Sequence, residues 1–281
     1  MGIRPSYFTL KAGPHILNHF VSLVRALGKY PWDLMKKDTP LSSNVTDKLC
    51  NELGIAKWTA VFGLWGTELE VTALQSYIKQ TLPNVGTLNI WDKKELINES
   101  NLSCKNKNDL LNLFKQMSGN VTGLGLARPY WRNKKDVPKN PAEVDLDKDR
   151  CGFLSINPCC PFTGEDALTI FRLSTEMILQ HGFEPNITAY STRPRILQFH
   201  ITLCFDRDNH IEDQRALECQ AQLTKILQEK GYYSFRLNIA SMDQFNAANT
   251  HYLALLKSIK KSVDLNNILS PGRYDGQIEQ T

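Results

Sequence analysis

The stretch ILQFHITLCFDRDNHIEDQRALECQAQLTKILQEKGYYSFRLNI, residues 196 to 239, decides how the chain is read, because it holds three elements in a row. Its first eleven residues, ILQFHITLCFD, are apolar, β-branched and aromatic, and predict a strand over 196 to 206. From Ile211 the apolar residues recur at helical spacing and stop at Gly231, which predicts an amphipathic helix. YYSFRLNI, 232 to 239, turns β-favouring again and predicts a returning strand.

The same order occurs earlier. WTAVFGLWG, 58 to 66, reads as a strand ended by Gly66-Thr67; ELEVTALQSYIKQTL reads as a helix; and VGTLNIW after Pro83 returns as a strand. Two β-α-β units predict a pseudo-duplicated α+β plait. Between them, 98 to 118 is Asn/Lys/Ser-rich and weakly helical, and 132 to 150 is charged, broken by two prolines and reads as a loop. GEDALTIFRLSTEMILQHG, 164 to 182, predicts a helix with a glycine stop, feeding FEPNITAYS as a strand. NTHYLALLKSIKKSVD predicts a last amphipathic helix, which leads into the turn LNNILSPGRYDG, 265 to 276.

Composition narrows the function classes. A chain of 281 residues, 42% hydrophobic and 22% charged, can bury the core of one large domain or two medium ones. The 33 Lys+Arg against 29 Asp+Glu give +4, and the basic residues are scattered, so the electrostatic footprint of a nucleic-acid binder is missing. No apolar run reaches the ~18 residues of a membrane span, which predicts a protein without membrane partners. MGIRPS fits a myristoylation pattern, but so short a match, with Pro5 inside it, arises by chance. Five Asn-x-Ser/Thr sequons (Asn44, Asn98, Asn101, Asn120, Asn186) have no secretory leader before them and read as idle. The seven cysteines are odd in number and lack metal-site spacing, so we expect free thiols, no metal and a reducing, cytoplasmic setting.

Self-contained chemical motifs are absent: there is no G-x-G-x-x-G, Walker A, His-Glu-x-x-His or Gly-x-Ser-x-Gly sequence. Arg236 follows an aromatic residue late in a predicted strand, and Arg273 sits on a Pro-Gly turn. Arginines so placed can direct permanent positive charge at a phenolate, a carboxylate or a reduced cofactor. Taken alone, each fits a surface ion pair better. His200, a lone histidine on a strand, reads as structural, and Asp243 reads as a helix cap rather than a proton carrier.

Six pieces in one order change the weighing: GLWGTELEV, PYWR, DKDRCGFLSINPCCPFTGEDA, HGFEPNIT, KGYYSFRLNIASMD and DLNNILSPGRYDG. Over residues 55 to 276 this order resembles the vanillyl-alcohol oxidase and 4-cresol dehydrogenase group of flavoproteins, with the first fifty or so residues matching only loosely. The resemblance implies a cap with a large antiparallel sheet flanked by helices over residues 1 to 262. A flavin-facing segment over 263 to 281 follows it, and the N-terminal FAD-binding domain of that group is not represented. It implies that Pro271, Gly272, Arg273 and Tyr274 border the flavin, and that Arg236 and Arg273 face the substrate oxyanion. Phe235 stands where the group carries a phenol-binding tyrosine, and a phenyl ring cannot donate a hydrogen bond. Tyr233 is the better substitute, since alternation puts it on the same face as Phe235 and puts Tyr232 on the other. Tyr130 and Trp131 line the pocket or brace the cap. Phe153 stands where relatives attach the flavin covalently and has no nucleophilic atom, so FAD would be held noncovalently.

Further departures are Asn157 in Asn-Pro, Asn267 before the turn, and Arg193-Pro194-Arg195 in place of Asn-Glu-Arg. The implied activity is oxidation of a para-substituted phenol or related alcohol. Charge on the phenolate is stabilised while hydride leaves the benzylic carbon for flavin N5, giving a quinone methide. The alternative expectation is a noncatalytic remnant or subunit that depends on a separate chain carrying the FAD domain, or on a second copy of itself.

Overall fold

In the computed structural model, residues 6–12, 58–84, 87–91, 127–133, 135–138, 140–239, 241–242 and 250–274 are described, with a few single positions between 45 and 115. The weak helix over 98 to 118, most of the sequons, the myristoylation pattern and Asp243 lie largely outside these residues. The chain divides into two compact units, Met1–Leu34 with Leu41–Asp145, and Met35–Pro40 with Leu146–Thr281.

In the first unit, strands β1 (Ser6–Ala12), β2 (Trp58–Leu64) and β3 (Thr87–Trp91) form a sheet in the order β2-β1-β3. Strand β1 is antiparallel to both neighbours, so β2 and β3 run the same way on either side of it. The predicted β-α-β unit is therefore split by an N-terminal strand that the sequence reading did not identify. Helix α1 (Glu68–Thr81) joins β2 to β3 and starts on a capping box. The Thr67 hydroxyl accepts from the Glu70 amide, and the Glu70 carboxylate accepts from the Thr67 amide at 2.7 Å. Leu64 and Val71 are the buried pair under this helix, with Ile78, Leu82, Leu88 and Ile90 packed around them. Helix α2 (Ala127–Arg132) and a single 3-10 turn, Pro141–Glu143, follow in the same unit.

The second unit is built on one long strand. Strand β7 (Ile196–Asp206) pairs along one edge with β4 (Cys151–Ile156) and β5 (Cys159–Pro161), and along the other with β6 (Ile187–Arg193), all antiparallel. Strands β4 and β5 are one line of chain interrupted at Asn157-Pro158. Phe199, Ile201, Leu203 and Phe205 of β7 alternate onto a single face and are at most 3% exposed. Helices α3 (Gly164–Gln180) and α4 (His210–Glu229) cover that face with Ile170, Ile178, Ala216, Cys219, Leu223 and Leu227, all in one core. Each buried Ile, Leu or Phe among these contributes roughly 1.5–3 kcal/mol, so this is the stabilising centre of the unit. Thr163 and Asn209 cap the two helices by accepting from the amides of Asp166 and Glu212. Helix α5 (Thr250–Val263) leads to the last turn.

The fold is α+β, with an antiparallel sheet flanked by helices, as read from the sequence. One predicted strand does not form: YYSFRLNI is not a regular strand but a single bridge, Ser234 opposite Pro158. The amide of Cys159 donates to Tyr233 and that of Phe235 donates to Asn157, both at 3.0 Å. Between those two bonds stands a proline with no N–H, which can add no donor to the pairing.

Among the described residues no helix is long and apolar enough to cross a membrane. Among the described residues Cys159, Cys160 and Cys219 are free thiols. Burial pushes Cys160 up to about 11 and Cys219 up to about 12, so neither supplies a thiolate at neutral pH. Among the described residues no cluster of three or more His, Cys, Asp or Glu could hold a metal ion.

Candidate functional site

Strand alternation buries one face of the second sheet under α3 and α4 and turns the other face away from those two helices. That face carries Phe153 and Ser155 from β4, Thr188 and Tyr190 from β6, and Gln198, His200, Thr202 and Cys204 from β7. Their cross-strand pairing (Phe153 with Cys204, Ser155 with Thr202, Thr188 with His200, Tyr190 with Gln198) fixes this placement.

The segment after α4 crosses to the same face. Its first residue stays with the core: Tyr232 packs there and donates its hydroxyl to Asp166 Oδ1 at 2.9 Å. Tyr233 and Phe235 turn outward and are exposed. The Phe235 ring meets the His200 ring edge-on, with centroids 6.1 Å apart and planes at 62°. Arg236 is exposed, and its backbone carbonyl accepts from Asn157 Nδ2 at 3.5 Å. Asn157 is itself fixed by a 2.9 Å bond from the Ser155 hydroxyl. The Asn-Pro departure thus anchors the backbone that presents Phe235 and Arg236.

The C-terminal turn reaches this segment through Tyr274. Its hydroxyl accepts from the Leu237 amide at 2.9 Å, so Arg236 and Arg273 each stand one residue from a shared contact. Asn267, Ser270 and Tyr274 have positive φ, as does Gly272 at 77°. Such a path suits glycine and strains the other three. Nothing lies within 4 Å of the Cβ position at Gly272, so the Pro-Gly turn borders open space. Pro271 and Arg273 are exposed on it.

The structure thus gathers Phe153, Tyr233, Phe235, Arg236, Arg273 and Tyr274 in one unit, five of them tied to one sheet face or to the segment crossing it. The Tyr274 hydroxyl is engaged by backbone, which makes it a latch for the turn. Tyr130 belongs to the first unit, is 1% exposed, and accepts from the Asp145 amide at 3.2 Å, a bracing arrangement. Trp131 lies in the same short helix, and its side chain is outside the described residues.

Two further residues of the face come together: His200, which the sequence reading took as structural, and Tyr190, which it did not single out. His200 Nε2 lies 2.7 Å from the Tyr190 hydroxyl, with ring centroids 5.1 Å apart. Burial, and then the Arg236 charge, hold His200 below the usual histidine range, so it is neutral at pH 7. Burial also raises Tyr190 above the usual tyrosine value. A face with a flat apolar ring, a neutral histidine, a tyrosine and an arginine can seat a planar aromatic group and stabilise negative charge on its oxygen.

No model of a known protein family matches the sequence. The chain is 29% identical over 264 residues to 1'-carboxy-chondrochloren decarboxylase of Chondromyces crocatus, covering 90% of this chain and 48% of that protein. It is 32% identical over 123 residues to the 4-cresol dehydrogenase [hydroxylating] flavoprotein subunit of Pseudomonas putida, covering 43% of this chain and 23% of that one. Among solved structures, p-cresol methylhydroxylase with substrate bound superimposes with a TM-score of 0.75 at 16% identity, over 100% of this chain and 54% of that one. The 4-ethylphenol oxidase of Gulosibacter chungangensis, in its isoeugenol complex, superimposes with a TM-score of 0.69 at 17% identity, over 98% and 48%. These structures show the fold. The chain spans about half the length, or less, of the curated relatives that it matches here.

Proposed function

We propose, from the resemblance to the vanillyl-alcohol oxidase and 4-cresol dehydrogenase family that sequence and fold both show, that this chain forms the substrate-facing part of an FAD-linked oxidoreductase acting on aromatic alcohols or para-substituted phenols. The observation that carries the reading is the outward sheet face, where Phe235 and Arg236 stand at His200 and the Tyr274 hydroxyl ties their segment to the turn that bears Arg273. Arg236 and Arg273 hold the substrate oxyanion with permanent charge. Phe235 and Phe153 offer flat apolar surface to the ring. The Tyr274 latch and the Asn157 anchor hold the two arginine-bearing segments in place.

The residues present fit a flavin. Phe153 is exposed on the sheet face and carries no nucleophile, so attachment is noncovalent, and the open Pro-Gly turn leaves room for the edge of a ring system. When bound, the flavin would accept the hydride that such an oxidation releases. The chain would contribute orientation, positive charge and a wall against water.

Most of the grip on FAD would come from sequence matching the other half of the relatives, in a longer chain or in a partner. One observation favours a partner or a second copy. Helix α5 buries none of its residues, and Leu255, Ile259 and Val263, with Ile268 and Leu269 beyond them, are exposed apolar side chains.

The test is the visible absorption spectrum of the full chain after incubation with FAD and desalting, alone and mixed with the flavin-gripping half of a relative. The flavin band is expected to be retained only in the mixture, and to bleach with a 4-alkylphenol or a benzylic alcohol. Retention and bleaching by the chain alone would overturn the assignment as a part. Failure of every phenol and alcohol to bleach the mixture would overturn the activity.

A further inference from the structure

The sheet face holds one polar pair that the two arginines do not account for. Tyr190 and His200 sit diagonally across β6 and β7, the hydroxyl 2.7 Å from Nε2, on the face that Phe235 crosses. Phe235 packs edge-on against His200, so the pair stands beside the position where a hydroxyl is missing.

We propose that Tyr190 supplies the hydroxyl donor that Phe235 lacks, directed at the same aryl oxyanion as Arg236, with His200 setting the direction of its hydrogen bond. This rests on the reading of the face as the substrate wall. The chemistry follows from the two tautomers of a neutral imidazole. With its proton on Nε2, His200 donates to the Tyr190 oxygen, and the phenolic O–H is left to donate outward. With its proton on Nδ1, Nε2 accepts from Tyr190, and the O–H is spent within the pair. An oxyanion placed against the face selects the first arrangement, because a hydrogen bond to a charged acceptor is stronger than one to a neutral acceptor. No covalent bond changes. The ligand class is an aromatic oxyanion, and a phenolate and a carboxylate present the same acceptor.

Neutral His200 is what the relay needs. Among the described residues the charged group named beside it is Arg236, which together with burial disfavours the imidazolium. Tyr190, raised by burial, keeps its proton. His200 is therefore a positioning residue, and Tyr190 is the one that touches the ligand.

The experiment is 15N NMR of the histidine rings in the full chain, titrated with 4-hydroxybenzoate, with 4-nitrophenolate and with neutral benzyl alcohol as the control. Either anion is expected to move His200 to the Nε2–H tautomer, and benzyl alcohol is not. Response to the carboxylate alone or to the phenolate alone identifies the source of the oxyanion. Tyr190→Phe should weaken binding of the anion about tenfold, the scale of one hydrogen bond to a charged group, and leave benzyl alcohol unchanged. His200→Gln, which keeps a donor, should retain more of that affinity than His200→Leu. A tautomer that stays put at saturation, equal losses for anion and alcohol in Tyr190→Phe, or no binding by any probe overturns the proposal. The wild-type tautomer decides the matter even if a variant fails to fold. Anion binding at His200 without phenol bleaching in the flavin mixture would sink the oxidoreductase reading and leave this one standing.

Discussion

Asp264 closes the last helix with several bonds at once. Its two carboxylate oxygens accept from the amides of Ile268 and Leu269, each at 2.9 Å, while Lys260 pairs with it from one turn back and also donates to the Leu269 carbonyl. The Lys260 hydrogen bond, followed by those two amides, holds the carboxyl below its ordinary value against the opposing effect of burial. A depressed carboxylate contributes stability that is complete above its unfolded pKa and is lost as pH falls through the folded one. Amide hydrogen exchange at Ile268 and Leu269 should therefore speed up on acidification through and below the usual carboxylate range, and Asp264→Asn should show fast exchange already at neutral pH. Unchanged protection in the variant would mean that the turn which carries Arg273 is held by something else. At this scale Arg236 and Arg273 could be proposed from their sequence neighbours, and Phe235 from the family resemblance. The pairing of Tyr190 with His200 could not, because a diagonal cross-strand pair depends on the register of β6 against β7, and no spacing along the chain records it.

Strand β7 and the helices α3 and α4 were legible because their periodicities are long and unbroken. Strand β4 was hidden inside a stretch noted only for its resemblance, and β5 has three residues, cut off from β4 by Asn157-Pro158. The returning strand was overread for the same reason: aromatic alternation in YYSFRLNI signals a strand, but its partner is the one residue that cannot donate. Pairing of β4 with β7 also depends on an absent side chain. A Cβ at Gly152 would lie 2.4 to 2.6 Å from ring atoms of Phe205, its cross-strand partner in the core. Gly152→Ala should cost about 1–3 kcal/mol in a denaturant titration, by forcing that ring off its position or β4 off β7. A wild-type midpoint would show that the Phe205 ring yields freely and that the sheet tolerates overpacking here.

The whole molecule is two units, each with its own antiparallel sheet, and every residue of the proposed site other than Tyr130 and Trp131 lies in the second. That unit spends one sheet face on a helix-covered core and leaves the other to Tyr190, His200, Phe235 and Arg236. The division of labour was visible in the sequence only as alternation. The measurement that tests this account most directly is bleaching of the flavin band by a 4-alkylphenol, in the chain reconstituted with the flavin-gripping half of a relative, compared between wild type and Arg236→Gln. The account predicts bleaching in wild type and a rate at least about tenfold lower in the variant, the scale of one lost charge-assisted contact to the oxyanion. Equal rates would place the substrate away from this face and contradict it.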